Sequence, residues 1–152
     1  MLRIFALFLF SFAALPALAD APQGYPFLPF DEAMRRAQAQ HKPVFVYFGR
    51  YGCGYCEKTN KEAFSEASVR ERYTQNYVLA YVDSESGKRL RLPSGERITE
   101  RELGTRYDAF VTPVFSYLDS SGGLHHRLVG VQSKETLLAA DAAARAKMAA
   151  GE

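Results

Sequence analysis

Hydrophobic and polar positions fall along this chain in blocks that read as separate elements. Ile4 to Leu15 is apolar apart from Ser11, follows the single cation Arg3, and leads through Pro16 to the small-residue triplet Ala17-Leu18-Ala19. A membrane-spanning helix needs ~20 apolar residues, and this run is shorter, so the pattern is that of a secretory signal peptide cleaved after Ala19; the alternative is an uncleaved anchor. Asp20 to Pro29 is proline-rich and has no apolar period, so an extended lead-in is expected, with the folded domain over 30–150.

Within the domain, Ala33, Met34 and Ala37 share one side of a helix that Asp31 is placed to cap and that runs to Gln40, ahead of Pro43. Val44-Phe45-Val46-Tyr47-Phe48 has no polar interruption and is the text of a strand covered on both faces. Gly49 to Gly54 turns the chain, and a helix is expected to open at or near Cys53 and reach about Ala63, with a further helical piece over Glu66 to Tyr73. Tyr77 to Val82 is the next strand. Glu85 to Arg97 is polar and glycine-punctuated, anchored by Leu90, Leu92 and Ile98, and reads as a surface hairpin or loop. Thr99-Glu100-Arg101-Glu102 spells a capping box for a helix to about Tyr107. Val114 to Leu118 and Leu124 to Val129 are strands joined by the turn Asp119-Ser120-Ser121-Gly122-Gly123, and Ser133 caps a last alanine-rich helix to about Met148. A parallel pair linked by helix, then an antiparallel hairpin and a closing helix, predicts an α/β domain: a mixed central sheet with helices on both faces.

Composition narrows the possible functions. A chain of 152 residues holds one well-buried core, and its 47% hydrophobic and 24% charged residues are those of an ordinary globular domain. A formal charge of +2, with no basic run interleaved with aromatics, gives no reason to expect a nucleic-acid partner. Two cysteines exclude both a disulfide-stapled miniature scaffold and a four-thiolate zinc site.

Those two cysteines form the candidate chemistry, Cys53-Gly54-Tyr55-Cys56, directly after a buried-type strand and at the expected start of a helix. The partial positive charge and free N–H groups of a helix N-terminus stabilise a thiolate, which is the form that attacks disulfides. The spacing places Cys56 one turn on, within reach of a mixed disulfide at Cys53, so Cys53 is the candidate nucleophile and Cys56 the resolving thiol. A purely structural disulfide is an alternative, although its four-residue loop restrains the unfolded chain by only about 2 kcal/mol in the chain-entropy model. Zinc is another, but His125 and His126 are adjacent and His41 is isolated, so no second ligand pair stands at suitable spacing. In Val111-Thr112-Pro113-Val114 a proline stands at a strand start, a position that tolerates either isomer of the preceding bond.

From about Phe30 to Met148 the chain resembles the thioredoxin superfamily, in particular the exported SoxW-type and thioredoxin-related proteins. The resemblance is carried by Lys42 to Phe48 ahead of Gly52-Cys53-Gly54-Tyr55-Cys56, by Glu102-Leu103 and Tyr107 before Val111-Thr112-Pro113, and by Phe115, Leu118-Asp119, Gly122 and Gly130. It implies a thioredoxin-like fold, a cis Thr112-Pro113 bond lying against the cysteines, and substrate contacts from Gly54, Tyr55, Thr112 and Pro113. Departures from the family are equally specific. Gly52 stands where cytosolic thioredoxins have Trp, Gly54-Tyr55 replaces Gly-Pro, and Tyr47 occupies the position of a buried acid that serves the resolving thiol. Glu57 is a nearby substitute, though its context is that of a solvated helix residue, and Arg50 is placed either to stabilise the Cys53 thiolate or simply as a turn residue. Tyr51 and Tyr55 flank the nucleophile as a possible apolar collar, while His125-His126 reads as a solvated pair.

The resemblance implies an exported, periplasmic thiol-disulfide oxidoreductase that acts on protein thiols and disulfides and is recharged by a membrane-bound thiol donor. No metal or nucleotide cofactor is expected, nor insertion into the membrane after cleavage. Reductase-like action is favoured over isomerase or oxidase action. A non-catalytic peptide-binding module on the same fold is the alternative of a different class.

Overall fold

A computed structural model describes residues 20–151, so the apolar run and the Ala17-Leu18-Ala19 triplet lie outside the described residues. Five strands form the main sheet in the order β1-β3-β2-β6-β7, with β1 at Leu28–Pro29, β2 at Val44–Gly49, β3 at Val78–Asp83, β6 at Val114–Leu118 and β7 at Leu124–Val129. β1, β3 and β2 run parallel, while β6 and β7 are antiparallel to their neighbours. The expected mixed sheet is therefore present, with β2 at its centre.

The alternation within Val44–Gly49 decides what each face of the sheet holds. Val44, Val46 and Phe48 join one core with Val78, Ala80, Val82, Val114 and Leu118, covered by helix α1 (Phe30–Gln40) and by Leu103 of helix α4 (Glu100–Arg106). Phe45 and Tyr47 join the other with Leu79, Tyr81, Phe115 and Tyr117. Helix α2 (Gly54–Thr59), a π-helical turn (Asn60–Phe64), α3 (Ala67–Asn76) and α5 (Lys134–Ala150) cover this second face. Successive strand residues point to opposite faces, so one apolar run builds two chemically different layers.

Several boundaries depart from expectation. Helix α1 begins at Phe30 with Pro29 as its N-cap and no side-chain cap, so Asp31 is not the cap but a first-turn residue. Its carboxylate there complements the helix dipole and pairs with Arg35 at 3.4 Å. The expected helix to Ala63 divides at Thr59, and the wider turn that follows buries both Ala63 and Phe64. The Glu85 to Arg97 segment folds as a small antiparallel hairpin that runs on to Thr99, β4 (Arg89–Arg91) with β5 (Arg97–Thr99), whose paired Leu90 and Ile98 are buried in the core. The capping box at Thr99 and the Ser133 cap both form. His125-His126 is not a solvated pair: His125 Nε2 lies 2.9 Å from Asp119 Oδ2, and the His126 ring packs near Tyr117.

Ahead of α1, the chain from Asp20 to Phe27 packs along the aromatic side. Ala21, Tyr25 and Phe27 contact that core, and the Tyr25 hydroxyl donates to the Phe64 carbonyl at 2.8 Å.

Candidate functional site

Strand register brings the site together. Phe48 pairs with Val114 across the antiparallel β2–β6 ladder, so the residues just after β2 lie beside those just before β6. Cys53 and Pro113 are therefore neighbours by topology, although 60 positions separate them in sequence. Gly130 N–H then donates to the Pro113 carbonyl at 2.8 Å and fixes the end of β7 to the same corner.

Gly52 turns the chain at φ 67°, a conformation that suits glycine, and delivers Cys53 to the N-cap of α2. Cys53 and Cys56 are joined in a disulfide. Two donors converge on the Cys53 sulfur: the Cys56 backbone N–H at 3.1 Å and the Thr112 hydroxyl at 3.2 Å. Hydrogen bonds to the charged form of a group favour that form, so the same donors stabilise a Cys53 thiolate once the pair is reduced. Cys53 is 7% exposed and Cys56 is 2% exposed, which leaves Cys53 the more accessible sulfur. The Thr112-Pro113 bond is cis. Pro113 is buried, whereas Gly54 and Tyr55 lie exposed on the first turn of α2.

Beneath the disulfide, Tyr47 fills the place of the acid. Its hydroxyl donates to Asn60 Oδ1 at 3.0 Å and lies 3.3 Å from the Cys56 carbonyl oxygen. Burial, reinforced by Tyr81 and Asp20, pushes its ionisation well above the usual tyrosine range. Tyr47 is thus a neutral support for the backbone of α2 and no base at neutral pH. Glu57 is exposed on α2, at the edge of a cleft of about 590 Å³ that also contains both cysteines. Arg50 pairs with Glu85 at 3.7 Å on the exposed side of the turn.

An apolar rim surrounds this corner. Tyr51 is 79% exposed, Tyr55 69%, Phe110 72% and Val111 58%. Phe110 and Val111 were not among the expected site residues. Their signal was a hydrophobic doublet outside any helix or strand, immediately before Thr112-Pro113. Also missed was the wall of the cleft formed by Asp20 to Gln23. Among the described residues no group of three or more His, Cys, Asp or Glu is placed to hold a metal ion, and no helix is long and apolar enough to cross a membrane.

A mixed sheet between two helical layers, with a CxxC pair at a helix N-terminus facing a cis-proline loop, defines a thioredoxin-fold protein. The family model for a thioredoxin-like domain matches residues 30–144, and the chain belongs to this family. A thioredoxin from Thermus thermophilus is similar at 29% identity with a TM-score of 0.68, over 84% of this chain and 93% of that one. A putative disulphide-isomerase from Bacteroides thetaiotaomicron is 27% identical with a TM-score of 0.59, over 83% and 91%. A DsbH oxidoreductase shares the fold at 16% identity and a TM-score of 0.63, over 80% and 85%. No curated protein matches the sequence. The arrangement of the cysteine pair is consistent with thiol-disulfide redox chemistry.

Proposed function

We propose that this chain is an exported thiol-disulfide oxidoreductase that acts on protein disulfides, with a reductase-like direction resembling the exported thioredoxin-related group. The observation that carries the reading is the Cys53 sulfur held by two donors at a helix N-terminus, with Cys56 one turn behind it. The Cys53 thiolate attacks a substrate disulfide sulfur, forming a mixed disulfide and releasing one substrate thiolate. Cys56, deprotonated, then attacks Cys53, the second substrate thiolate leaves, and the Cys53–Cys56 disulfide results. Two electrons have passed to the substrate, and a dithiol donor returns them. That donor is assigned to the membrane, because an exported protein lies beyond cytosolic reducing systems.

The exposed rim of Tyr51, Tyr55, Phe110 and Val111 favours an extended protein substrate, with Gly54, Tyr55, Thr112 and Pro113 as contacts. The same rim supports the second reading, a peptide-binding module without turnover. Insulin reduction with dithiothreitol separates the two: the oxidoreductase accelerates turbidity and Cys53→Ser does not, whereas equal rates establish the binding module. A glutathione redox series fixes the direction, since potentials in such proteins span from about −270 to about −120 mV.

A further inference from the structure

The segment after the expected cleavage point is held more firmly than chain ends ordinarily are. A terminus frays unless packing or hydrogen bonds tie it down. Here Asn60 Nδ2 donates to the Asp20 carbonyl oxygen at 3.2 Å, and Pro22 is buried. Three residues further, the Tyr25 hydroxyl is bonded to the Phe64 carbonyl, and the Arg70 guanidinium lies 5.7 Å from the Tyr25 ring centre. Asp20 and Ala21 thereby line the same cleft as Cys53 and Cys56.

We infer that removal of residues 1–19 creates, at Asp20, an α-ammonium group on the wall of the dithiol cleft, where it is a positioning charge that favours the Cys53 thiolate. The inference rests on the export and dithiol chemistry proposed above. Before cleavage the Ala19–Asp20 peptide bond carries no charge, so the cleft gains this cation only on maturation. Asn60 couples the new terminus to the thiols, because it donates to Asp20 and accepts from Tyr47, which lies against the Cys56 carbonyl.

The other charges facing the cleft offset one another. The Asp20 carboxylate and Glu57 of α2 are matched by Lys61 of the π-helical turn and Arg70 of α3. Beneath them, Tyr47 of β2 and Tyr81 of β3 are kept protonated by burial and contribute no charge near neutral pH. One added cation therefore tips a balanced cleft towards the thiolate. An α-amino group titrates near pH 7.7–8.0 in peptides, so its charge is in place where thiols begin to ionise.

The test compares three reduced forms with both cysteines intact: the chain beginning at Asp20, the same chain N-acetylated, and the chain behind a neutral Gly-Ser-Gly-Ser extension. Cys53 alkylation by iodoacetamide is followed by mass spectrometry across about pH 5 to 9. Acetylation and extension are expected to slow alkylation about three- to fivefold near pH 6.5 and to move the profile to higher pH, with melting temperatures unchanged. Superimposable profiles overturn the inference, as does an exported protein whose sequenced N-terminus is not Asp20. Insulin reduction is measured on the same samples. Superimposable profiles with insulin reduction intact leave the oxidoreductase reading standing. A shifted profile without insulin reduction overturns that reading and supports the charge effect.

Discussion

The two faces of the sheet are built from the same strands yet are made of different material. On the side of α1 and α4 the buried cluster is largely aliphatic, with Phe30 and Phe48 as its two aromatic members. On the side of α2, α3 and α5 eight aromatic side chains are buried, and Phe45 lies within 6.2 Å of five other ring centroids. The difference lies in what a tyrosine brings beside its ring. Hydroxyls at one end of the aromatic layer meet the thiol helix through Tyr47. At the other end the Tyr73 and Tyr117 hydroxyls lie 2.6 Å apart, Tyr73 donates to the Leu137 carbonyl, and Tyr77 donates to Asp141. One layer fills space, while the other fills space and directs polar groups at both ends.

The largest effect that sharpens this contrast concerns the thiol end. Cys53→Ser is expected to lower insulin reduction at least about a thousandfold, because no other group supplies the attacking electron pair. Cys56→Ser is expected to accumulate mixed disulfides with protein substrates, visible on non-reducing gels. If Cys53→Ser traps the same species, the roles of the two sulfurs are reversed.

Next in size is a paired truncation on adjacent residues of β2. Phe45→Ala empties the centre of the aromatic layer and is expected to cost about 3–5 kcal/mol, and Val46→Ala, facing the aliphatic layer, roughly 1–3 kcal/mol. Urea unfolding of both variants reads the difference. Equal losses would mean that the rings contribute no more than their neighbours across the sheet.

A third measurement addresses the buried acceptor at the far end. Asp141 is fully buried and accepts from Tyr77 at 2.9 Å, Asn76 at 3.1 Å and Arg72 at 3.3 Å. Asp141→Ala leaves those donors without an acceptor, at an expected cost of about 2–4 kcal/mol in urea unfolding. A loss under about 0.5 kcal/mol would show that the aromatic layer does not need this anchor.

Much of this arrangement was legible beforehand. The strand text from Val44 to Phe48 marked the centre of the sheet, the helix-strand order implied its mixed topology, and the CxxC between strand and helix located the chemistry. Capping residues at Thr99 and Ser133 were readable because their side-chain partners lie within three residues. What escaped notice depended on distant contacts. Asp141 lies in an alanine-rich helix and reads as a surface acid, since its partners Asn76 and Tyr77 are over 60 positions away. The docking of Tyr25 and Phe27 has no period to betray it, because each ring is received by a different element. Pro29 displaced Asp31 as the helix cap because the chain enters α1 directly from β1, a pairing with β3 that local text does not encode.

A smaller effect is expected at Thr112, where a single hydroxyl joins the loop before β6 to the Cys53 sulfur. Thr112→Val keeps the shape and removes the donor. Losing one such bond is worth about 1 kcal/mol, so Cys53 alkylation near neutral pH should slow about fivefold, and Thr112→Ser should restore the rate. Equal rates for all three proteins would assign Thr112 to packing alone.

The smallest expected effect tests whether the aliphatic side tolerates a buried carboxylate as the aromatic side does. Glu100, at the start of α4, is 4% exposed, and its ion-pair partner Lys88 is 4.0 Å away. Burial raises its ionisation above the ordinary value of 4.5, against the lowering effects of Ser86 and Lys88. A carboxyl whose folded pKa is raised binds its proton more readily in the fold than in the unfolded chain. Its contribution therefore favours the fold at low pH, and is lost as pH rises through the folded pKa. At pH 7 the buried charge of Glu100 is therefore a net cost. Glu100→Gln is accordingly expected to raise stability at pH 7 by a few tenths to about 1 kcal/mol, with the advantage shrinking towards pH 4. Thermal melts of both proteins across that range read the sign: a Gln variant less stable at pH 7 would mean that Lys88 and Ser86 satisfy Glu100 as fully as the hydroxyl, amide and guanidinium satisfy Asp141.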